Sequence, residues 1–340
     1  MEVLQFLVYL VFAVAVISYA SLDGFDLGVG CLHLFAKNDR DRRIFLNAIG
    51  PVWDGNSVWI VISVGLVFAG FPPVFAAITS GFYLPSFLVV AMFMFRAASL
   101  EFRSKTESPR WRSFWDFCFF ASSVVMAFDL GMILGNMAHG VPLDTYGDIV
   151  QSELNFFNGY AISIGALGTL LFSLHGALYL LMKTEGELQK QIRGWMPRLL
   201  VAFLLLWVIA TAITFMYESQ MLARMHKTPW LWAVAFFSLA SFGAVVRNVI
   251  KENYGYAFIS SMIAIALFVA LFCIGTYPYL LFSSINSPEN SMTIYNSSSS
   301  FITLLTLIVI AATGVPLFYF YASYVYRTFR GKVKIGEHSY

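Results

Sequence analysis

Phe6-Leu-Val-Tyr-Leu-Val-Phe-Ala-Val-Ala-Val-Ile-Ser-Tyr-Ala20 runs without a charge into Ser21-Leu-Asp-Gly-Phe-Asp-Leu-Gly-Val-Gly30. About 20 apolar residues in a helix cross the hydrocarbon core of a bilayer. This stretch is long enough, and it follows only Glu2, with no basic region before it. It therefore reads as a retained span rather than a removable signal. Its second half is unusual. A carboxylate inside such a helix costs about 2.5–3.5 kcal/mol on insertion scales unless it pairs, stays protonated or faces a polar cavity.

The rest of the 340-residue chain continues in the same key. Hydrophobic residues make up 59% and charged residues 12%, against roughly 45–50% and about 25% in a soluble domain. The mean hydropathy is +0.73. A soluble enzyme, a nucleic-acid binder and a disordered chain are excluded. Apolar runs fall at about 5–35, 55–71, 75–100, 114–138, 156–182, 196–217, 229–250, 256–278 and 301–327. The expectation is an all-α polytopic membrane protein with nine transmembrane helices in a single integral membrane domain over 1–340. Spans one to four and five to eight can form two four-helix bundles, leaving one peripheral helix and a tail, 328–340. Pro51, Pro72, Pro73, Pro109, Pro197, Pro229 and Pro278 are read as starts and stops rather than kinks. Spans two and three, joined by a short turn at 70–75, are expected to be antiparallel neighbours.

Charge sets the direction. Of 21 Lys and Arg residues, only Arg224 and Lys227 fall on the minority side. The others cluster at Lys37–Arg43, Arg96–Arg112, Lys183–Arg198, Arg247–Lys251 and Arg327–Lys334, on alternate connections. The N-terminus is expected outside and the C-terminus in the cytoplasm. The outer loops would be 70–75, 138–155, 218–228 and 279–300, with Ser297–Ser300 a flexible or N-capping stretch. Trp230, Trp232, Tyr277, Tyr279, Tyr324 and Tyr326 suit an interfacial belt.

The acids are the candidate functional groups. Asp23 and Asp26, spaced i, i+3, share one helix face. Gly24 and Gly28 form a small-xxx-small pair for a close helix crossing. The face is either a polar track or structural glue. Asp54 lies in Gly50-Pro-Val-Trp-Asp-Gly-Asn-Ser-Val-Trp59, near a helix start. The helix dipole favours an acid there, and so does proton uptake from the cytoplasm, with Asn56 and Ser57 holding water and Trp53 in support. Glu101 ends the third span at a similar depth, with Arg96 deeper. Arg96 is expected to pair with Asp54 or Glu101; a plain salt bridge from Arg96 or Arg103 to Glu101 is the bland alternative. Asp129, mid-way along span four, suits helix association or partner contact, and the helix dipole suffices for Asp116.

His33 and His175 lie within spans and read as hydrogen-bonded core residues. Cys31, Cys118 and Cys273 read as buried small side chains. No His-x-x-His, HExxH or cysteine spacing suits a metal, and no phosphate loop or Ser/His/Asp arrangement stands out. Catalytic residues are not expected on this chain.

These segments resemble subunit II of cytochrome bd-type quinol oxidases. The likeness rests on Leu22–Gly30, Asn38-Asp-Arg-Asp-Arg-Arg-Ile44 and Gly50–Trp59, and continues through Ser80-Gly-Phe-Tyr83, Phe102-Arg-Ser-Lys105, Arg110-Trp-Arg112, Gly135-Asn136, Gly140-Val-Pro142, Asn155-Phe-Phe157 and Lys183-Thr-Glu-Gly-Glu187. It covers nearly the whole chain. The resemblance implies a heterodimer with a larger subunit I in a bacterial or archaeal cell membrane. In such complexes subunit I carries two haem b and one haem d and oxidises quinol near the outer face. Oxygen is reduced to water with cytoplasmic protons, electrogenically and without pumping. Subunit II supplies no axial haem ligand. The resemblance leaves room for a small accessory membrane subunit and for bound quinone or lipid.

By the same resemblance, Asp54 and Glu101 match acids of a cytoplasmic proton path, and Asp26 and Asp23 match first-helix acids facing the interior near the partner. The alternative from a different class is a proton-coupled secondary transporter, which would use intramembrane acids in the same way. Transporters show inverted repeats with paired interrupted helices, whereas only one short interrupted run is present here.

Overall fold

The computed structural model describes residues 1–150, 153–217 and 225–334. Arg224, His338 and the rest of 218–224 and 335–340 lie outside the described residues. Among those described, nine helices are long and apolar enough to span a membrane. The chain is a multi-pass membrane protein.

Helix α1 (Glu2–Leu32) is central. After α2 (Asp39–Ile49), a surface helix capped by the Asn38 side chain, come α3 (Trp53–Gly70), α4 (Pro72–Gly81), α5 (Tyr83–Phe102) and α6 (Pro109–His139). The second half holds α7 (Gly159–Lys183), α8 (Gly186–Tyr217), α9 (Trp230–Ile250), α10 (Tyr254–Thr276) and α11 (Phe301–Thr328). Helix α1 packs on α3, α6, α7, α10 and α11, and α6 packs along α7, so these three helices form the seam between the two halves.

Lipid is as apolar as leucine, so helices in a membrane gain little from apolar burial and associate through close backbone approach and polar contacts. Both devices occur at the seam. A Cβ on Gly28 would stand 1.8 Å from the Phe172 carbonyl oxygen, and one on Gly176 would stand 2.4 Å from the Gly28 carbonyl carbon. The α1–α7 crossing is therefore closed to any side chain at either position. The α6–α7 crossing repeats the arrangement at Gly131 and Gly165. His175 on α7 supplies the polar device. Its Nδ1 meets Ser261 Oγ on α10 at 2.6 Å, and its Nε2 meets the Ser21 carbonyl on α1 at 3.0 Å.

Two elements depart from the sequence reading. Spans two and three are not joined by a short turn: Pro72 and Pro73 start a separate helix, α4, which occupies most of that connection and the first part of the expected third span. Proline fits a first helical turn because its missing N–H has no partner there anyway. Helix α5 then packs along α6, while α3 packs on α1. Second, α8 begins ten residues early, and Pro197 lies inside it. The added turns are polar overall, so hydropathy misses them, yet Leu188, Ile192 and Met196 are buried at helical spacing. The stretch at 279–300, read as an outer loop, carries a short strand pair. Strand Tyr279–Leu281 pairs with Met292–Thr293, and the Asn290 side chain donates to the Leu143 carbonyl at 2.8 Å. Ser300 caps α11 by accepting from Thr303 N–H.

Helix α11 exposes most of its surface but is anchored along one stripe. The rings of Phe318 and Tyr319 pack on Trp59 of α3, and the Tyr319 hydroxyl meets Ser18 Oγ at 2.6 Å. Past its end the chain clasps α7. Lys183 Nζ donates to the Phe329 carbonyl at 2.7 Å, Val333 N–H donates to the Lys183 carbonyl at 2.9 Å, and Lys332 Nζ donates to the Thr184 carbonyl at 2.6 Å.

Candidate functional site

Asp23 and Asp26 are fully buried on α1. Asp26 is six residues from the end of a helix that rises about 1.5 Å per residue, so the pair sits within a few turns of the basic end. The structure brings Asp23, Asp26, Asn56, Ser57 and Arg96 into one cluster from three helices. Arg96 of α5, only 1% exposed, grips Asp23 with Nη1 at 2.7 Å and Nη2 at 2.6 Å. Ser57 Oγ donates to the same carboxylate at 3.0 Å. This bidentate geometry suits a charged pair in a low-dielectric site. Asn56 Nδ2 donates to Asp26 Oδ2 at 2.7 Å, and Asp26 Oδ1 has no hydrogen-bond partner among the described residues.

The cluster corrects two expectations. Arg96 pairs with Asp23 rather than with Asp54 or Glu101. Asn56 and Ser57 turn away from Asp54 and serve the first-helix acids instead. The reason is helical rotation: Trp53, Asn56 and Ser57 are buried, whereas Asp54 projects from the exposed side of α3's first turn. Glu101 is likewise exposed, on the last turn of α5. Gly24 and Gly28 sit at the α1–α7 crossing behind the acids, with the Phe172 ring 2.8 Å from the Cβ position of Gly24.

Sequence reasoning missed two contributors. Tyr326 was expected in an interfacial belt, but its hydroxyl turns inward and donates to Asn56 Oδ1 at 2.8 Å. Asp116 does more than complement a helix dipole. It is buried and accepts from Arg103 Nε at 2.5 Å and from Arg42 Nη1 at 3.0 Å, and it meets His33 Nε2 at 2.6 Å. Arg103 also reaches Asp39 at 2.6 Å, so α1, α2, α5 and α6 are knitted together at the basic end. The only sequence signal for this knot was an acid and a histidine inside apolar helices.

The arrangement separates two tasks. Asp23 is neutralised by Arg96. Asp26 receives a single neutral donor and keeps one oxygen without a hydrogen-bond partner among the described residues. Among the described residues no group of three or more His, Cys, Asp or Glu could hold a metal ion.

The family model of cytochrome bd terminal oxidase subunit II matches residues 4–329. The chain belongs to this family. Cytochrome bd-I ubiquinol oxidase subunit 2 of Escherichia coli K12 is 32% identical, over 98% of this chain and 96% of that protein. Cytochrome bd ubiquinol oxidase subunit 2 of Bacillus subtilis is 30% identical, over 97% and 96%. A chain of the bd oxidase of Geobacillus thermodenitrificans shares the fold with a TM-score of 0.79 at 19% identity, over 96% of this chain and 98% of that one. As a bd oxidase subunit II, the chain is one part of a terminal oxidase and implies a subunit I partner and haem in the complex.

Proposed function

We propose that this chain stabilises a haem-bearing subunit I and carries protons to it from the cytoplasm, in a complex that oxidises quinol and reduces oxygen to water. The carrying observation is the asymmetric acid pair: Asp23 is locked to Arg96, and Asp26 is buried with one oxygen open. Lys and Arg concentrate at the chain's basic end, which the positive-inside rule assigns to the cytoplasm. Asp54 and Glu101 lie at that end on exposed positions, suited to taking up protons or meeting the partner. Asp26 is the inner station.

In this reading the haem of the complex supplies the electron path and the oxygen chemistry, and it is held by subunit I. Haem held on subunit I is supported by His175, which engages both ring nitrogens. His33 engages Asp116 and is buried against the Phe45 and Phe119 rings. The work of this chain is to hold and pass protons at carboxylates, and to keep the apolar helices around them closed to bulk water.

The test is oxygen consumption by the purified whole complex carrying Asp26→Asn or Asp54→Asn, with haem content and subunit ratio measured in parallel. With haem intact, turnover of the Asp26 variant falls roughly tenfold or more, a barrier increase of about 1.4 kcal/mol. Normal turnover with normal haem would remove the substituted acid from the path. Loss of haem would assign it to assembly.

A further inference from the structure

Helix α11 has the most exposed surface among the spans, yet it delivers one hydroxyl into the acid cluster. Tyr326 donates to Asn56 Oδ1 at 2.8 Å, and Asn56 Nδ2 donates to Asp26 Oδ2 at 2.7 Å. We infer that Tyr326 is a positioning residue for Asp26: it holds the Asn56 amide against the acid by satisfying whichever amide end the acid leaves free. This inference rests on the reading of Asp26 as a proton-carrying group.

The argument is one of donor and acceptor matching. A carboxamide has one accepting end and one donating end, nearly equal in size. A carboxylate can only accept, so it requires the NH2 end. Tyr326 secures that orientation by occupying the oxygen end as a donor. A protonated acid can instead donate, and it then pairs with the oxygen end. A tyrosine hydroxyl both donates and accepts, so it can also take the NH2 end after the amide turns over. The Tyr326–Asn56 pair thus offers a matched partner to Asp26 in either protonation state. No covalent bond changes; the proton resides on Asp26 in one arrangement and has left it in the other.

The surroundings isolate this pathway. The titratable and charged groups facing Asp26 are Asp23 and Tyr19 from α1, Arg96 from α5, Tyr179 from α7 and Tyr326 from α11. Both terminal nitrogens of Arg96 are committed to Asp23, and the Tyr179 hydroxyl donates to the Ala48 carbonyl at 3.0 Å. Among the described residues, the Asn56 amide is the donor that reaches Asp26, and Tyr326 is what holds that amide from its other end.

A double-substitution cycle in the whole complex tests this. Tyr326→Phe keeps the ring and removes only the hydroxyl; Asn56→Ala removes the intermediary; the pair is then combined. Tyr319→Phe, seven residues earlier on the same helix, removes the other inward hydroxyl contact and controls for anchoring of α11. Oxygen consumption is followed across pH, with haem content as the assembly check. Tyr326→Phe lowers turnover about three- to tenfold, the scale of one lost hydrogen bond. Its pH–rate profile coincides with that of Asn56→Ala, and it adds no further loss in the Asn56→Ala background, because it acts through that residue. Tyr319→Phe keeps the unsubstituted profile. The inference is overturned if Tyr326→Phe retains its full effect without Asn56. It is equally overturned if Tyr326→Phe leaves rate and profile unchanged while Asp26→Asn alters them. If Asp26→Asn itself changes nothing, the proton-carrying reading falls, and the inference with it.

Discussion

Arg96 and Asp23 form a bidentate ion pair, at 2.7 and 2.6 Å, between two helices whose partner residues are 73 positions apart in the chain. Removing one partner of such a pair strands a buried charge, at a cost of about 3–5 kcal/mol. Arg96→Met therefore lowers the thermal midpoint of the purified complex and its yield of assembled haem. The combined Arg96→Met, Asp23→Leu chain strands nothing and recovers most of the loss. Equal midpoints for the single and combined chains would mean that the ion pair is not what Arg96 contributes.

The α1–α7 crossing has no room for a methyl group. Gly28→Ala places a carbon on the Phe172 carbonyl oxygen, a contact of 1.8 Å before relaxation, and backbone cannot move aside as a flexible side chain can. We expect a loss of at least about 1–3 kcal/mol, the usual scale of overpacking, read as a lowered unfolding midpoint. Gly55→Ala, where nothing lies within 4 Å of the added carbon, is the matched substitution that leaves the midpoint in place.

At the basic end, Asp116 faces two arginines and His33. Asp116→Asn keeps the shape and removes the countercharge, leaving Arg103, 1% exposed, without its buried partner. Protease accessibility of the 103–108 connection in membrane vesicles rises in this variant. Unchanged cleavage would show that the Asp39 contact alone secures Arg103.

Lys332 carries a pH dependence of known sign. Burial lowers its pKa from the ordinary lysine value. Between the folded and unfolded pKa values the undocked tail binds more protons, so docking strengthens as pH rises through that window and weakens as pH falls. Hydrogen exchange over residues 329–334 slows, after correction for the intrinsic rate, on going to alkaline pH. Lys332→Gln abolishes that trend; the same trend in the variant would assign it to another group.

Much of the fold was legible because a bilayer reduces it to one variable. Each apolar run long enough to span became a helix, and Pro109, Pro229 and Ser300 fell at helix starts as read. Helix α4 was not legible because it is as apolar as the span after it, and the early turns of α8 were not because they are as polar as the connection before them. In the site, Asp23, Asp26, Asn56 and Arg96 could be picked out as residues too polar for where they lie. Their pairing could not. The Asp26 partner is 30 positions away and the Asp23 partners 34 and 73, and only helix packing decides such matches. Asp54 and Asn56, two residues apart, were read together, but the rotation of α3 sends them to opposite sides. Tyr326 looked like its neighbour Tyr324, which is exposed. What separates them is the rotation of α11, set by the Phe318 ring packed on Trp59.

The contact from α11 to Asn56 has a consequence for biogenesis. Tyr326 is synthesised 270 positions after Asn56, yet it completes the hydrogen-bonded chain that runs through Asn56 to Asp26. Until α11 has been made, the amide of Asn56 has no tyrosine to hold it and the groove beside α1 and α3 stays unsealed. A nascent chain stalled before α11 would be inserted but unfinished at the buried cluster around Asp26. That gives quality-control machinery a feature by which to tell it from the mature subunit.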